Sequence, residues 1–484
     1  MKALGILGTG SSVGKTWVAT ALCAWLRRQG VRVAPCKTQN MSNNAWALAT
    51  GGEISRAQAM QAEACGLEPT AEMNPLLLKP SGRNGVQLIV DGRPAGTFDA
   101  AEYRRDFDRH WRHVAGVLDG WRERCDVLVL EGAGSPVELN LMDRDLVNLR
   151  PVRHLDGRWL LVGDIDRGGI FAQLAGTWNL LPGVDRPRAL GAVVNRFRGD
   201  LALFRDAAQC LLPYAPGLPV LGTVPLRRDL HPETEDGFDR GDTDRGSGDT
   251  IAWVRYPRVA NVTDCQPWWD DRGVRTRWVD DPAQLAGAKA IVLPGSKNTL
   301  ADLRWLRAHG WFEAIAEAAR SGVVVVGLCG GYQMLGERLA DPEGLAGDRG
   351  VEQGLGLLPI ATGFAPEKIV RQVTAECDGR RWRAYEIHMG RSTQTRTCEA
   401  LQTIVDQEGA RPEGVRCGNV WGTYLHGWFE APETRRKLAA AAGLAGHRAD
   451  SILWVEKRRE TYSQMADHLA AHVDLDPVRR YLEL

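Results

Sequence analysis

The sequence predicts an α/β protein built from two doubly wound parallel-sheet domains. Three observations predict it. Short runs rich in Val, Ile and Leu alternate with helix-like stretches, as expected of strands buried on both faces. The alternation occurs twice, on either side of a polar, strand-poor segment over residues 231–250. Each series also holds one glycine-rich strand–turn–helix junction, at residues 8–16 and 327–333.

In the first series the candidate strands are residues 3–7, 31–36, 126–130, 159–162, 190–194 and 219–223, with helices over 15–28 and 55–65. Each strand is too short and too uniformly apolar to face water, and the helices between them supply βαβ crossovers. Residues 231–250 crowd Asp, Glu, Gly, Thr and Arg together and read as a linker. The second series places strands at 251–255, 274–279, 290–293 and 323–328, with a late strand ending near Tyr424. An Arg- and Glu-bearing amphipathic helix spans 451–472. The expected organisation is therefore a domain over 1–230, a linker over 231–250, a domain over 251–445 and a C-terminal helical segment over 446–484.

Lys+Arg and Asp+Glu each number 60, so the net charge is zero, which argues against a chain-wide nucleic-acid or membrane-surface binder. No run approaches the about 18 apolar residues of a membrane span. The first ten residues read as a buried strand, not a secretory signal. The expected location is the cytoplasm, and the ten cysteines, none in C-x-x-C spacing, read mostly as reduced core thiols. Only nine basic residues are Lys, so a Lys inside a motif is informative.

The first junction reads Gly8-Thr9-Gly10-Ser11-Ser12-Val13-Gly14-Lys15-Thr16. Gly10 and Gly14 let successive backbone N–H groups converge on phosphate oxygens, and the following helix adds its N-terminal dipole. Lys15 is expected to reach the β- and γ-phosphates and the Thr16 hydroxyl to bind Mg²⁺. The loop resembles the variant P-loop of dethiobiotin synthetase and its relatives. Glu131, ending the strand at 126–130, is the main partner expected for the metal. Asp164 and Asp166 end the next strand at the same edge and serve either the site or a helix cap. Asn195 is placed to read a nucleotide base through its amide, or to form a turn.

The second junction reads Val326-Gly327-Leu328-Cys329-Gly330-Gly331-Tyr332-Gln333. Flanking glycines permit a strained turn that presents the Cys329 thiol at a helix N-terminus, where the dipole favours thiolate. His426 ends an apolar strand and is the best of the ten histidines as its base. The N–H groups of Gly295 and Gly330 are candidates for an oxyanion hole. This set resembles the class I glutamine amidotransferase glutaminase. The resemblance implies that Cys329 attacks the glutamine amide, that His426 moves the proton and that Gln333 helps hold the substrate glutamine. That family has Glu two residues after the His; here the position is Trp428, leaving Glu430 as a substitute or a Cys–His dyad.

Three further features take bland readings. Trp268 and Trp269 read as packing, and His110 and His113 as surface residues of a charged helix. Glu386 and His388 alternate along a strand, where they either border the glutaminase pocket or do not.

The two junctions, with residues 37–44, 74–80, 131–136, 164–169, 293–298, 385–390 and 422–427, resemble the cobyric acid synthase family over nearly the whole chain. The resemblance implies an ATP- and Mg²⁺-using, glutamine-dependent amidation of a corrinoid. Four peripheral carboxylates of adenosylcobyrinic acid a,c-diamide would be converted to amides through acyl phosphates. It implies L-glutamine as second substrate and no nucleic-acid or membrane partner. The alternatives are a cobyrinic acid a,c-diamide synthase, a MinD/ParA-like nucleotide switch carrying an inactive glutaminase, and a Cys-dependent hydrolase with a regulatory nucleotide domain.

Overall fold

In a computed structural model of the chain, residues 1–80, 85–227, 229–230, 244–406 and 409–484 are described. All six strands read from the first series are present in one parallel sheet. Its spatial order is Val220–Pro225, Ala189–Phe197, Arg158–Asp164, Lys2–Gly8, Val127–Glu131, Val33–Cys36. Lys2–Gly8 lies between two strands that come much later in the chain. The loops leaving these three strands therefore open at one switch point, the usual crevice for a ligand. Helix Lys15–Arg28 follows at once, and helix Arg56–Cys65 is capped by the Ser55 side chain, which accepts from Ala57 N–H.

The second sheet has five central parallel strands in the order Val274–Val279, Asp249–Val254, Ala290–Leu293, Val324–Leu328, Val420–Thr423. Antiparallel Asp244–Gly246 and Val415–Cys417 close its edges. Of the segment read as a linker, residues 231–243 lie outside the described residues. Residues 244–246 and 249–250 are strand in this second sheet, because Arg275 pairs with Asp244 and the ladder extends to that edge.

Three structures were absent from the sequence reading, apart from the strand holding Glu386 and His388. A small sheet of Gln39–Met41, Leu76–Pro80, Gly85–Val90 and Arg93–Asp99 and a hairpin of Ala45–Ala47 with Glu53–Ser55 extend the first unit. A long antiparallel pair, Ile360–Cys377 with Arg380–Gln394, extends the second.

The C-terminal helix, Trp454–His472, does not stand apart. Tyr462, Met465, Ala466 and Leu469 enter the same core as Val18, Leu22 and Trp25 of the first unit. Buried Arg458 pairs with Glu63 of the first unit at 2.9 Å and Glu430 of the second at 2.9 Å. Trp268 is packed against Phe429 and His447, as read. Eight cysteines are free thiols, but Cys398 and Cys417 form a disulfide, which departs from the general reading of reduced thiols.

Because Leu469 is 1% exposed, Leu469→Ala leaves a cavity between the C-terminal helix and the first sheet. The expected loss is about 2–5 kcal/mol, read as a lower urea midpoint for the first unit.

Candidate active sites

The phosphate loop is held open by its own neighbours. Gly14 sits at φ +96°, and a Cβ there would fall 2.0 Å from Asn195 Nδ2, so the position requires glycine. Asn195 Nδ2 donates to Val13 O at 3.1 Å. One of the two amide donors expected to read a base therefore braces the loop. Nothing lies within 4 Å of a Cβ built on Gly10, which faces open space. Lys15 Nζ donates to Gly10 O at 2.8 Å and Gly134 O at 3.0 Å, tying the loop to the turn that follows Glu131.

Glu131 ends its strand almost wholly buried, as the switch-point topology dictates. Its Oε1 accepts from Thr16 Oγ1 at 2.9 Å and from Lys37 Nζ at 3.0 Å, and Gln61 donates to its other oxygen. Thr16 and Glu131 thus bring two hard oxygen donors together, the kind of set that holds Mg²⁺ with phosphate oxygens completing the shell. Asp164, at the end of the neighbouring strand, is also buried. It pairs with Arg196 at 3.2 Å and accepts from Asp166 N–H at 2.9 Å, while Asp166 pairs with Arg198 at 2.8 Å.

The cysteine junction is the strained elbow the glycines allow. Cys329 has φ +50°, a region costly for a side-chain-bearing residue, and is fixed there by Cys329 N–H to Thr423 O at 2.8 Å. A Cβ on Gly331 would lie 2.0 Å from Leu293 O, and one on Gly330 2.7 Å from Ser296 N. The loop 293–296 therefore packs directly on the elbow, bringing Gly295 and Gly330 to one place. A Cβ on Gly295 would sit 3.1 Å from His426 Cε1. The strand holding Glu386 and His388 crosses this site, since Cys329 Sγ lies 3.5 Å from Ile387 O. Gln333 is buried one helical turn beyond Cys329, accepting from Thr299 Oγ1 at 3.1 Å and facing Tyr424 Oη at 3.4 Å.

His426 contacts the Cys329 side chain on one side and Asp264 on the other. Nδ1 meets Asp264 Oδ2 at 2.7 Å, and Asp264 Oδ1 accepts from Gly427 N–H at 2.8 Å. Burial alone would strip the imidazolium of its proton. Asp264 and Cys329 more than offset that, carrying the group from 6.5 up to about 10. Glu430 is not the third member: its carboxylate holds Arg458 and lies 3.8 Å from Arg56. Trp428 is buried against Trp421 and Phe429. Asp264 was missed because it lies 162 residues before His426. The one signal is its place in Asn261-Val262-Thr263-Asp264, just beyond the first strand of the second series, where ligands gather.

The two sites share a boundary. Ala45 N–H donates to Asn261 Oδ1 at 3.0 Å and Val262 N–H to Asn44 Oδ1 at 3.3 Å. Trp46 packs on Tyr385 at 4.6 Å, and Tyr385 on His426 at 5.3 Å. A cleft of about 790 Å³ has Ser11, Ser12, Lys15 and Lys37 on one wall and Arg255, Tyr256, Val262 and Trp305 on the other. Among the described residues no helix is long and apolar enough to cross a membrane.

Residues 4–237 match a CobQ/CobB/MinD/ParA nucleotide binding domain, and residues 250–434 a CobB/CobQ-like glutamine amidotransferase domain. A cobyric acid synthase of Roseiflexus castenholzii is 45% identical over 98% of this chain and 97% of its own. One of Chloroflexus aggregans is 46% identical over 96% and 95%, and one of Synechocystis 40% identical over 100% and 99%. A solved glutamine amidotransferase, 19% identical, covers 40% of this chain and 98% of its own with a TM-score of 0.31, too loose an overlap to add to this. The chain belongs to the cobyric acid synthase family, ATP-dependent glutamine amidotransferases of cobalamin biosynthesis.

Proposed function

We propose that this chain, acting in the cytoplasm, converts four peripheral carboxylates of adenosylcobyrinic acid a,c-diamide to amides, using ATP and L-glutamine for each. The observation that carries this reading is the shared cleft, with a phosphate loop on one wall and the glutaminase unit on the other. A carboxylate and ammonia do not condense at neutral pH, so activation and nitrogen release must occur in one molecule and near each other.

In the glutaminase half, the Cys329 thiolate attacks the glutamine side-chain carbonyl carbon. The oxyanion formed is met by the N–H groups of Gly295 and Gly330. His426 gives its proton to the departing nitrogen, ammonia leaves, and a glutamyl thioester remains. His426 then takes a proton from water, which releases glutamate and frees Cys329. Asp264 keeps the imidazole oriented and stabilises its cationic form; it is a positioning residue. Gln333 shapes the pocket for glutamine.

In the synthetase half, Gly10, Gly14 and Lys15 hold the triphosphate, and Asn195 keeps the loop in shape. A substrate carboxylate oxygen takes the γ-phosphoryl group and ADP leaves. Ammonia attacks the acyl carbon and phosphate departs, leaving the amide. Thr16 and Glu131 would hold Mg²⁺, which supplies charge neutralisation at the phosphates.

The experiment is a mass spectrum of the corrinoid after incubation with protein, ATP, Mg²⁺ and glutamine. Four carboxyl-to-amide conversions are expected. Cys329→Ser should abolish them with glutamine and keep them with high ammonium, whereas Lys15→Ala should abolish them with either source. Glutamate release without any change in the corrinoid would sink the substrate assignment, and no glutamate release would favour the nucleotide switch.

A second outcome concerns Asp264→Asn. Glutaminase kcat should fall by about 10²-fold or more, and the basic limb of its pH profile should move to lower pH. Folded His426 holds its proton above the ordinary 6.5, so the stability it contributes is complete below that pH and lost as pH rises through about 10. The stability gap between wild type and Asp264→Asn should accordingly narrow toward alkaline pH in urea titrations.

A further inference from the structure

Asp302 is a wholly buried carboxylate that neither half-reaction above uses. It stands in the first turn of helix Thr299–Ala308, which follows the loop packed on the cysteine elbow. Its Oδ2 accepts from Ser296 Oγ at 2.6 Å. Its Oδ1 accepts from Arg258 N–H at 3.2 Å and from Arg258 Nη1 at 3.3 Å. The Ser296 hydroxyl also accepts from Asn298 N–H at 3.2 Å, so it both donates and accepts. Bonds of this kind, to a charged acceptor, are shorter and stronger than neutral ones. One carboxylate therefore grips two segments of the second unit, residues 256–260 and residues 293–296.

Both segments serve the glutaminase. Val259–Ala260 pairs antiparallel with Gly295–Ser296, and Lys297 N–H donates to Arg258 O at 2.9 Å. A two-stranded pair this short is marginal without further support. Tyr256 Oη donates to Pro294 O, and Gly331 N–H donates to the same oxygen at 3.0 Å, which ties the pair to the elbow. Gly295 lies on one strand, where a Cβ would sit 3.1 Å from His426 Cε1. The other strand runs on through Asn261 to Asp264, the carboxylate on His426 Nδ1. The pair thus sets the position of an oxyanion donor against that of the imidazole. A misplacement of about 1 Å in such a site costs much of the rate, because the donor must meet charge that develops only in the transition state.

We propose that Asp302 is the positioning residue of the glutaminase oxyanion hole: through the Ser296 hydroxyl and the Arg258 N–H it locks loop 293–296 onto strand Val259–Ala260, and so holds Gly295 at its place beside Cys329 and His426. This rests on the glutaminase half of the reading above and deepens it. Asp302 touches neither glutamine nor the thiol. It acts through Ser296, and the helix that carries it also presents Thr299, whose hydroxyl donates to Gln333 at 3.1 Å. The start of one helix therefore fixes both the oxyanion loop and a wall of the glutamine pocket.

The test uses full-length protein and two variants. Ser296→Ala deletes one hydroxyl and leaves Asp302 paired with Arg258. Asp302→Asn keeps the side chain's shape but offers one acceptor oxygen in place of two. Glutaminase kcat and KM are measured, with inhibition by the γ-semialdehyde of glutamate, alkylation of Cys329 by iodoacetamide followed on its own peptide, and amide formed with saturating ammonium chloride. The thiolate adds to the aldehyde carbon, forming a C–S bond and leaving the carbonyl oxygen as an oxyanion in the hole. Alkylation forms a C–S bond with loss of iodide and makes no oxyanion. In both variants kcat should fall by about tenfold, less than the outright loss of a donor, and the aldehyde should bind more weakly by a similar factor. The KM for glutamine, the alkylation rate and ammonium-supported synthesis should stay at wild-type levels. An unchanged kcat in both variants would overturn the proposal. So would alkylation that slows in step with kcat, which would place the effect on the thiolate–imidazolium pair, or a lower kcat with full aldehyde affinity. Loss of ammonium-supported synthesis in Ser296→Ala would overturn it as well, making the contact one that merely holds the fold. Wild-type protein that releases no glutamate would instead overturn the glutaminase reading itself.

Discussion

His426 is buried and nevertheless held as a cation, and the arrangement of both units follows from how that is achieved. Burial disfavours the imidazolium, and a carboxylate in direct contact, together with the Cys329 sulfur, reverses the preference. That carboxylate, Asp264, is not on the same element as His426 or Cys329. It sits on a short helical turn whose start, Asn261, has the left-handed φ of +55°. Asn261 and Asn44 exchange hydrogen bonds with each other's chain neighbours across the boundary. The surroundings of His426 are therefore tied to the segment 40–44, which also lines the phosphate-loop cleft.

Other buried charges obey the same rule. Glu131 is satisfied by Thr16, Lys37 and Gln61, Glu53 by Lys79 and Lys368, and Arg458 by Glu63 and Glu430. Pairs of this kind contribute little net stability, because desolvation cancels most of the attraction, but breaking one partner leaves an uncompensated buried charge. The pairs of Glu53 and Arg458, which join the two units, select one register between them. A displacement by one side chain would leave Glu53 or Arg458 without its partner.

What the sequence disclosed was local. The strands were legible because burial on both faces forces continuous apolar runs. The phosphate loop and the cysteine elbow were legible because their glycines stand together in one short run, although the close approaches they answer come from far along the chain: Gly14 against Asn195, Gly331 against Leu293. Asp264 was not, because its meaning comes from His426, far along the chain. Glu430, only four residues from His426, was the nearer guess, and the fold turns it toward Arg458. The hairpin of Ala45–Ala47 with Glu53–Ser55 escaped notice for a related reason. Its strands are three residues each and take their register from Tyr385 and Asn261 of the other unit.

The C-terminal helix is the last constraint on the boundary, and its position follows from the core it completes. Helix Lys15–Arg28 is buried through most of its length, more than one face against its own sheet can accommodate. Tyr462, Met465 and Leu469 cover the remainder. The helix that seals the first core starts from the second unit, so the chain must cross the boundary twice. At that crossing Arg458 bonds to both units. A hinge between the sheets would have to break this buried pair together with the Asn44–Asn261 exchange. Two units fixed in this way keep their facing sites at one separation, as the proposed acyl phosphate and its ammonia nucleophile would require.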